Sequence, residues 1–149
     1  MSLTEQIAGD IINAMKAKDK VALEAIRAAK TAFLLARSEK GSDTVLSTEE
    51  ELKIIHKLVK QRRESASIYK ENNRQDLYEK EIAEADILEK YLPAKMGEAE
   101  LEKVLKDIIS RVGATSSADM GKVTGVATRE LAGRADGKEI STIVRQLLG

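Results

Sequence analysis

The chain has 149 residues, with 25 basic and 25 acidic side chains and a formal net charge of zero. That balance argues against indiscriminate coating of nucleic acid, which takes a large positive excess, but it leaves room for a local basic patch. One Phe, three Tyr and no Trp are too few for a base-stacking platform, and the absence of Cys excludes disulfides and thiolate metal sites.

Helix signals recur along the chain and strand signals do not. Ser2 and Glu5 read as a capping box for a first helix with Ile7, Ile11, Ile12 and Met15 on one face. The segment "AKDK" ends it, and Asp19 is a ready N-cap for a second helix carrying Leu23, Ile26, Ala29, Phe33 and Leu34. "SEKGSDTVL" reads as a loop, with Gly41 to Asp43 as its turn residues.

Ser47 and Glu50 form a second capping box. The helix after it places Leu52, Ile55, Leu58, Val59, Arg62, Ala66 and Tyr69 in one stripe and runs to about Glu71. Asn72 and Asn73 interrupt it, and Leu77, Ala83, Glu84, Ile87, Leu88 and Tyr91 mark the next helix, expected to fold back as an antiparallel hairpin. Arg62, near the apolar stripe, is expected to pair with Glu81 or Glu84, leaving Lys60 and Arg63 facing solvent. Pro93 pushes its predecessor out of helical geometry, so the helix ends near Leu92 and a domain boundary falls there.

Beyond it come three short helices. Leu101, Val104, Leu105, Ile108 and Val112 define the first, which ends at Gly113. Ser116 caps the second, with the stripe Met120, Val123, Ala127 and Leu131. Asp136 and Glu139 open the third, whose Ile140, Ile143, Val144, Leu147 and Leu148 follow helical spacing. The expected fold is all-α: an N-terminal helical domain over 1–92 with a long helical hairpin, then a small three-helix domain over 94–149.

"GRADGKE" has the look of a phosphate loop and fails as one. Gly133 to Gly137 is one residue short, Glu139 stands where a magnesium-binding hydroxyl belongs, and no strand precedes it. Gly121, Gly125, Thr128 and Ala132 instead fall at i, i+4, i+7 and i+11, a ridge of small side chains. Each interior glycine costs about 0.8–1 kcal/mol against alanine, which suits a ridge made for close approach by a neighbouring helix or by a ligand backbone. Lys122, Thr124, Arg129, Arg134 and Lys138 flank it and can grip a sugar–phosphate backbone, with Lys60 and Arg63 a second basic cluster on the hairpin. Asp119, Glu130, Asp136 and Glu139 are interspersed and fit an ordinary mixed surface equally well.

His56 is the only histidine and sits beside an apolar stripe, so it reads as a flanking residue. No constellation able to activate ammonia, ATP or an acyl group is present, and no catalytic residue, metal or cofactor is expected. "MSLTEQIAGD" lacks the apolar core of a signal peptide and no segment has the length of a membrane span, so a cytoplasmic protein is expected.

"DMGKVTG" followed by "AGRADGKEISTIVRQLL" resembles the C-terminal signature of the YqeY-type proteins. "IIHKLVKQRRES", "NRQDLYEKEIAE" and "ILEKYLPAKM" extend the likeness over essentially the whole chain. The resemblance implies an all-helical, two-part protein similar to the tail domain of the B subunit of the tRNA-dependent amidotransferase. It further implies a link to tRNA or to a tRNA-handling enzyme, and a carbon–nitrogen ligase association with glutamine as amido donor. Asn73 stands where many members carry glycine, and Gly97 where serine is usual. The residues admit two rival roles, a protein–protein adaptor using the hairpin face and an accessory amidotransferase component.

Overall fold

A computed structural model describes residues 1–41 and 44–149. Ser42 and Asp43, two of the three expected turn residues, lie outside the described residues. Those described are all-α: seven α-helices and one 3-10 turn, with no strand among them. They divide into two compact units, Met1–Leu92 and Pro93–Gly149.

The first unit holds α1 (Leu3–Ala17), α2 (Lys20–Lys40), α3 (Thr48–Glu71) and α4 (Gln75–Glu89). Ser2 Oγ accepts from the Glu5 N–H at 3.2 Å, Lys18 closes α1 in left-handed geometry (φ 55°), and Asp19 Oδ1 accepts from the Ala22 N–H at 3.1 Å. The capping box is complete at α3, where Ser47 and Glu50 exchange both bonds.

A three-residue turn joins α3 to α4. Asn73 takes φ 58° there, the left-handed region that asparagine tolerates better than most residues. The helices then run antiparallel, as three cross-links show. Lys70 Nζ sits 5.6 Å from the Tyr78 ring centroid near the turn, and Arg63 pairs further along with Asp86 at 3.1 Å and with Glu89. Pairs whose numbers sum to nearly the same value are the signature of antiparallel neighbours. α4 stops at Glu89, three residues before the expected end, and the Tyr91 and Leu92 N–H groups donate to Leu88 and Glu89 in a tightened final turn.

The core of this unit is Ile7, Ile26, Phe33, Ile55, Val59 and Leu88, with Ala25, Ala29 and Ala85 allowing close helix approach. Three expected core residues belong outside it. Ile12 and Met15 are each 54% exposed and Leu34 is 53% exposed. The buried face of α1 follows Leu3, Ile7, Ile11 and Ala14, spaced i, i+4, i+8 and i+11, and Ile12 lies one residue, hence about 100°, round from it.

Two carboxylates of this unit are buried, Glu51 and Glu84. Glu51 is 2% exposed, and its Oε2 accepts from the Thr4 N–H at 2.8 Å and the Thr4 hydroxyl at 2.6 Å. One carboxylate therefore satisfies an orphan donor in the first turn of α1 and fixes that turn to the start of α3. On the α3–α4 seam, Arg62 does not form the expected ion pair. Its Nε is buried without a hydrogen-bond partner, and Glu84, 7% exposed, feels it only through space.

The second unit holds α5 (Glu98–Val112), α6 (Met120–Glu130) and α7 (Gly137–Leu148). Gly97 leaves α5 without a side-chain cap, whereas Gly113 ends it at φ 71°. Ser116 caps the short 3-10 turn Ser117–Asp119 ahead of α6 rather than α6 itself, and Asp136 caps α7. Leu101, Leu105, Ile108, Val123, Ala127, Leu131, Ile140 and Val144 form its core, as the helical spacings require.

Glu51→Ala leaves both Thr4 donors unmet and is expected to cost about 2–3 kcal/mol, read as early unfolding of α1 by amide exchange in a urea series. Burial holds the Glu84 carboxyl above its usual range, against the pull of Arg62. A raised folded-state pKa favours the protonated form, so the native state gains from it at acidic pH and loses the gain as pH rises through that pKa. Glu84→Gln is therefore expected to raise the urea midpoint at neutral pH, with the difference shrinking as pH falls into the ordinary carboxylate range. An unchanged or lower midpoint at neutral pH contradicts the argument.

Candidate nucleic-acid interface

The small-residue ridge does not pack against a neighbouring helix. A Cβ built on Gly121 or Gly125 meets no atom within 4 Å, and both glycines are exposed. Nor is the ridge continuous, because α6 ends at Glu130 and Ala132 lies in the turn beyond it. The reason is rotational. Val123 and Ala127 point into the core, which sends Gly121, Lys122, Gly125 and Arg129 to the opposite, outer side of α6. The glycines thus thin the outer surface of the helix.

Hydroxyls on this helix turn inward to its own backbone. Thr124 Oγ1 donates toward the Met120 carbonyl at 2.9 Å, with the Gly121 carbonyl at 3.2 Å, and Thr128 Oγ1 donates to the Thr124 carbonyl at 2.7 Å. Thr124 retains only acceptor capacity, the wrong polarity for a phosphate, so its expected gripping role is corrected.

The interspersed acids have local employment. Arg111 of α5 clamps Glu130 with two bonds of 2.9 and 2.7 Å, holding that carboxyl below its usual range. Asp119 accepts from the Thr115 N–H at 3.0 Å, which lowers it likewise. Asp136 accepts from the Lys138 N–H, and Glu139 pairs with Lys95 at 3.2 Å.

Among the described residues, Lys122, Arg129 and Lys138 form no ion pair, although Lys122 feels Asp119 and Arg129 feels Glu130 through space. Lys122 and Arg129, seven residues apart, share the outer face of α6. Lys138 stands in the first turn of α7 rather than in the preceding loop, beside an open cleft floored by Met96, Leu101 and Ile143. Arg134 reaches Glu100 at 3.7 Å.

In the first unit Lys60 is exposed, whereas Arg63 is not the solvent-facing cation expected. Asp86 and Glu89 hold its guanidinium, because position 63 rather than 62 flanks the hairpin seam. His56 is half-buried with Nε2 enclosed and without a hydrogen-bond partner. Among the described residues, no group of three or more His, Cys, Asp or Glu side chains could hold a metal ion. No helix there is long and apolar enough to cross a membrane. The Arg111–Glu130 clamp and the Glu51 cap had no sequence signal beyond their charges, since their partners lie 19 and 47 residues away.

This is an all-helical protein of two units, whose second unit presents unpaired cations beside a thinned helix surface. The chain belongs to the YqeY-like family, whose model, described as "Yqey-like protein", matches residues 4–148. It is similar to altered inheritance of mitochondria protein 41 of Pyrenophora tritici-repentis, a protein named as mitochondrial. The two are 28% identical over 148 residues, which span 97% of this chain and 80% of the relative.

Because Gly125 is mid-helix and open to solvent, Gly125→Ala is expected to stabilise the second unit by about 0.8–1 kcal/mol, measured by thermal or urea unfolding. A loss of stability would mean that the position is enclosed after all.

Proposed function

We propose that the second unit binds the sugar–phosphate backbone of tRNA and that the protein is a non-catalytic module serving a tRNA-handling, amidotransferase-type system. One observation carries this reading. The four interspersed acids are engaged by caps or ion pairs, which leaves Lys122 and Arg129 on the outer face of α6, and Lys138 in the first turn of α7, without an ion pair among the described residues. Cations of this kind attract phosphates by charge and shape without reading base sequence. The bare glycine positions let a backbone approach the helix closely. The family resemblance supports the same assignment.

Substituting Lys122, Arg129 and Lys138 together by Gln is expected to weaken tRNA binding. It should also reduce the slope of log affinity against log salt by up to roughly 2–3, one fractional unit per lost phosphate contact. Fluorescence anisotropy over a salt series checks both. Equal affinity in wild type and variant, or binding insensitive to salt, removes the proposal.

A second reading, a protein–protein adaptor, is favoured by exposed apolar side chains on the first unit, among them Leu34, Leu35 and Ile68. Partners captured from a lysate that survive ribonuclease treatment would favour it. If instead the purified chain transamidates misacylated tRNA with glutamine, the non-catalytic assignment fails.

A further inference from the structure

A concave site of about 600 Å³ opens in the first unit, lined from α1, α2 and the end of α4. Its central acid is Asp10, whose Oδ2 accepts from the Tyr91 hydroxyl at 2.5 Å, linking residues 81 apart in sequence. Burial first, and then this carboxylate, hold the Tyr91 hydroxyl well above its usual range, so it stays a neutral donor. Among the described residues, no lysine, arginine or histidine forms an ion pair with Asp10. Asp10 is half-buried, and its hydrogen-bond partner among the described residues is a neutral hydroxyl.

Three of the other lining residues add acceptor oxygens. Asp19 contributes a second carboxylate, one oxygen of which caps Ala22. Gln6 and Asn13 bring carboxamides that make no hydrogen bond among the described residues, so their oxygens are open acceptors. Lys90, the one cation of the lining, also forms no ion pair among the described residues. The remaining wall is apolar and small, with Ala14, Ala17 and Ile26 leaving width for an aliphatic stem.

We propose that this site binds an organic ammonium group on a short aliphatic chain, its charge against Asp10 and its stem along the alanine wall. The bound ammonium gives Asp10 an ion-pair partner and donates to the carboxamide oxygens. Lys90 adds a like charge to the lining, which weakens the binding of any cation and penalises polycations more than a singly charged ammonium. A free alkylamine and a lysine side chain of a partner protein present the same chemistry. The site is in the first unit and is independent of the tRNA proposal.

The test is an NMR titration of the full chain with n-butylammonium chloride, against sodium chloride at matched ionic strength and against sodium butyrate. The expected result is saturable shifts of the Asn13, Ala17 and Tyr91 amides with a Kd on the order of 1 mM, ordinary for so small a ligand. Neither control salt should saturate.

Asp10→Asn, which keeps an oxygen for the Tyr91 hydroxyl, is expected to raise Kd at least about tenfold. Ala17→Leu fills the mouth from an exposed helix position and is expected to abolish saturation, which decides the matter even if the Asp10 variant folds poorly. A parallel titration with Nα-acetyl-lysine methylamide separates the sources, since tighter binding of that probe identifies a partner's lysine and weaker binding a free amine. Linear shifts equal to those of sodium chloride, saturation by butyrate, or unchanged affinity in Ala17→Leu would each overturn the assignment.

Discussion

The architecture of the first unit depends on one carboxylate. Glu51 is buried and remains tolerable there because two donors of Thr4 converge on it. The contact fixes both where α1 begins and how it is rotated about its axis. Rotation in turn decides which side chains of α1 face the core: Ile7 and Ala14 go in, while Asp10 is carried to the edge where Tyr91 meets it. Loss of that anchor would leave a short helix held by one apolar stripe and the Asp10–Tyr91 hydrogen bond.

Periodicity and caps made most elements readable. The last residue of α3, the left-handed Asn73 and the Gly113 stop all follow from local chemistry that a sequence displays. Orientation was less legible. Ile12, Met15 and Leu34 are apolar and adjacent to true core positions, and hydrophobicity alone cannot say which neighbour faces inward. The Arg62 and Arg63 exchange is the same difficulty in charged form. A shift of one residue turns a side chain by about 100°, enough to leave Arg62 in the seam without a bond to Nε while Arg63 at its flank meets Asp86 and Glu89.

In the candidate interface the sequence displayed the right charges without their pairings. Four acids among five cations and hydroxyl groups look like an ordinary mixed surface. Only the folded positions reveal that Glu130 belongs to Arg111 and Asp119 to the Thr115 backbone. The glycines were legible as an anomaly and misleading as to cause. Their spacing resembles a helix-packing seam, yet the apolar stripe of α6 already claims the opposite side, so a seam has nowhere to form within the unit.

The tight link between α3 and α4 bears on how the chain reaches this state. Its two longest-paired helices are joined by only three residues, so bringing them together sacrifices little chain freedom. Their cross-links begin beside the turn, at Lys70 and Tyr78, and continue outward to Arg63 and Glu89, an order that permits zippering from the closed end. Local pairing of this sort favours rapid folding, and it makes the hairpin the natural nucleus on which the preceding helices condense.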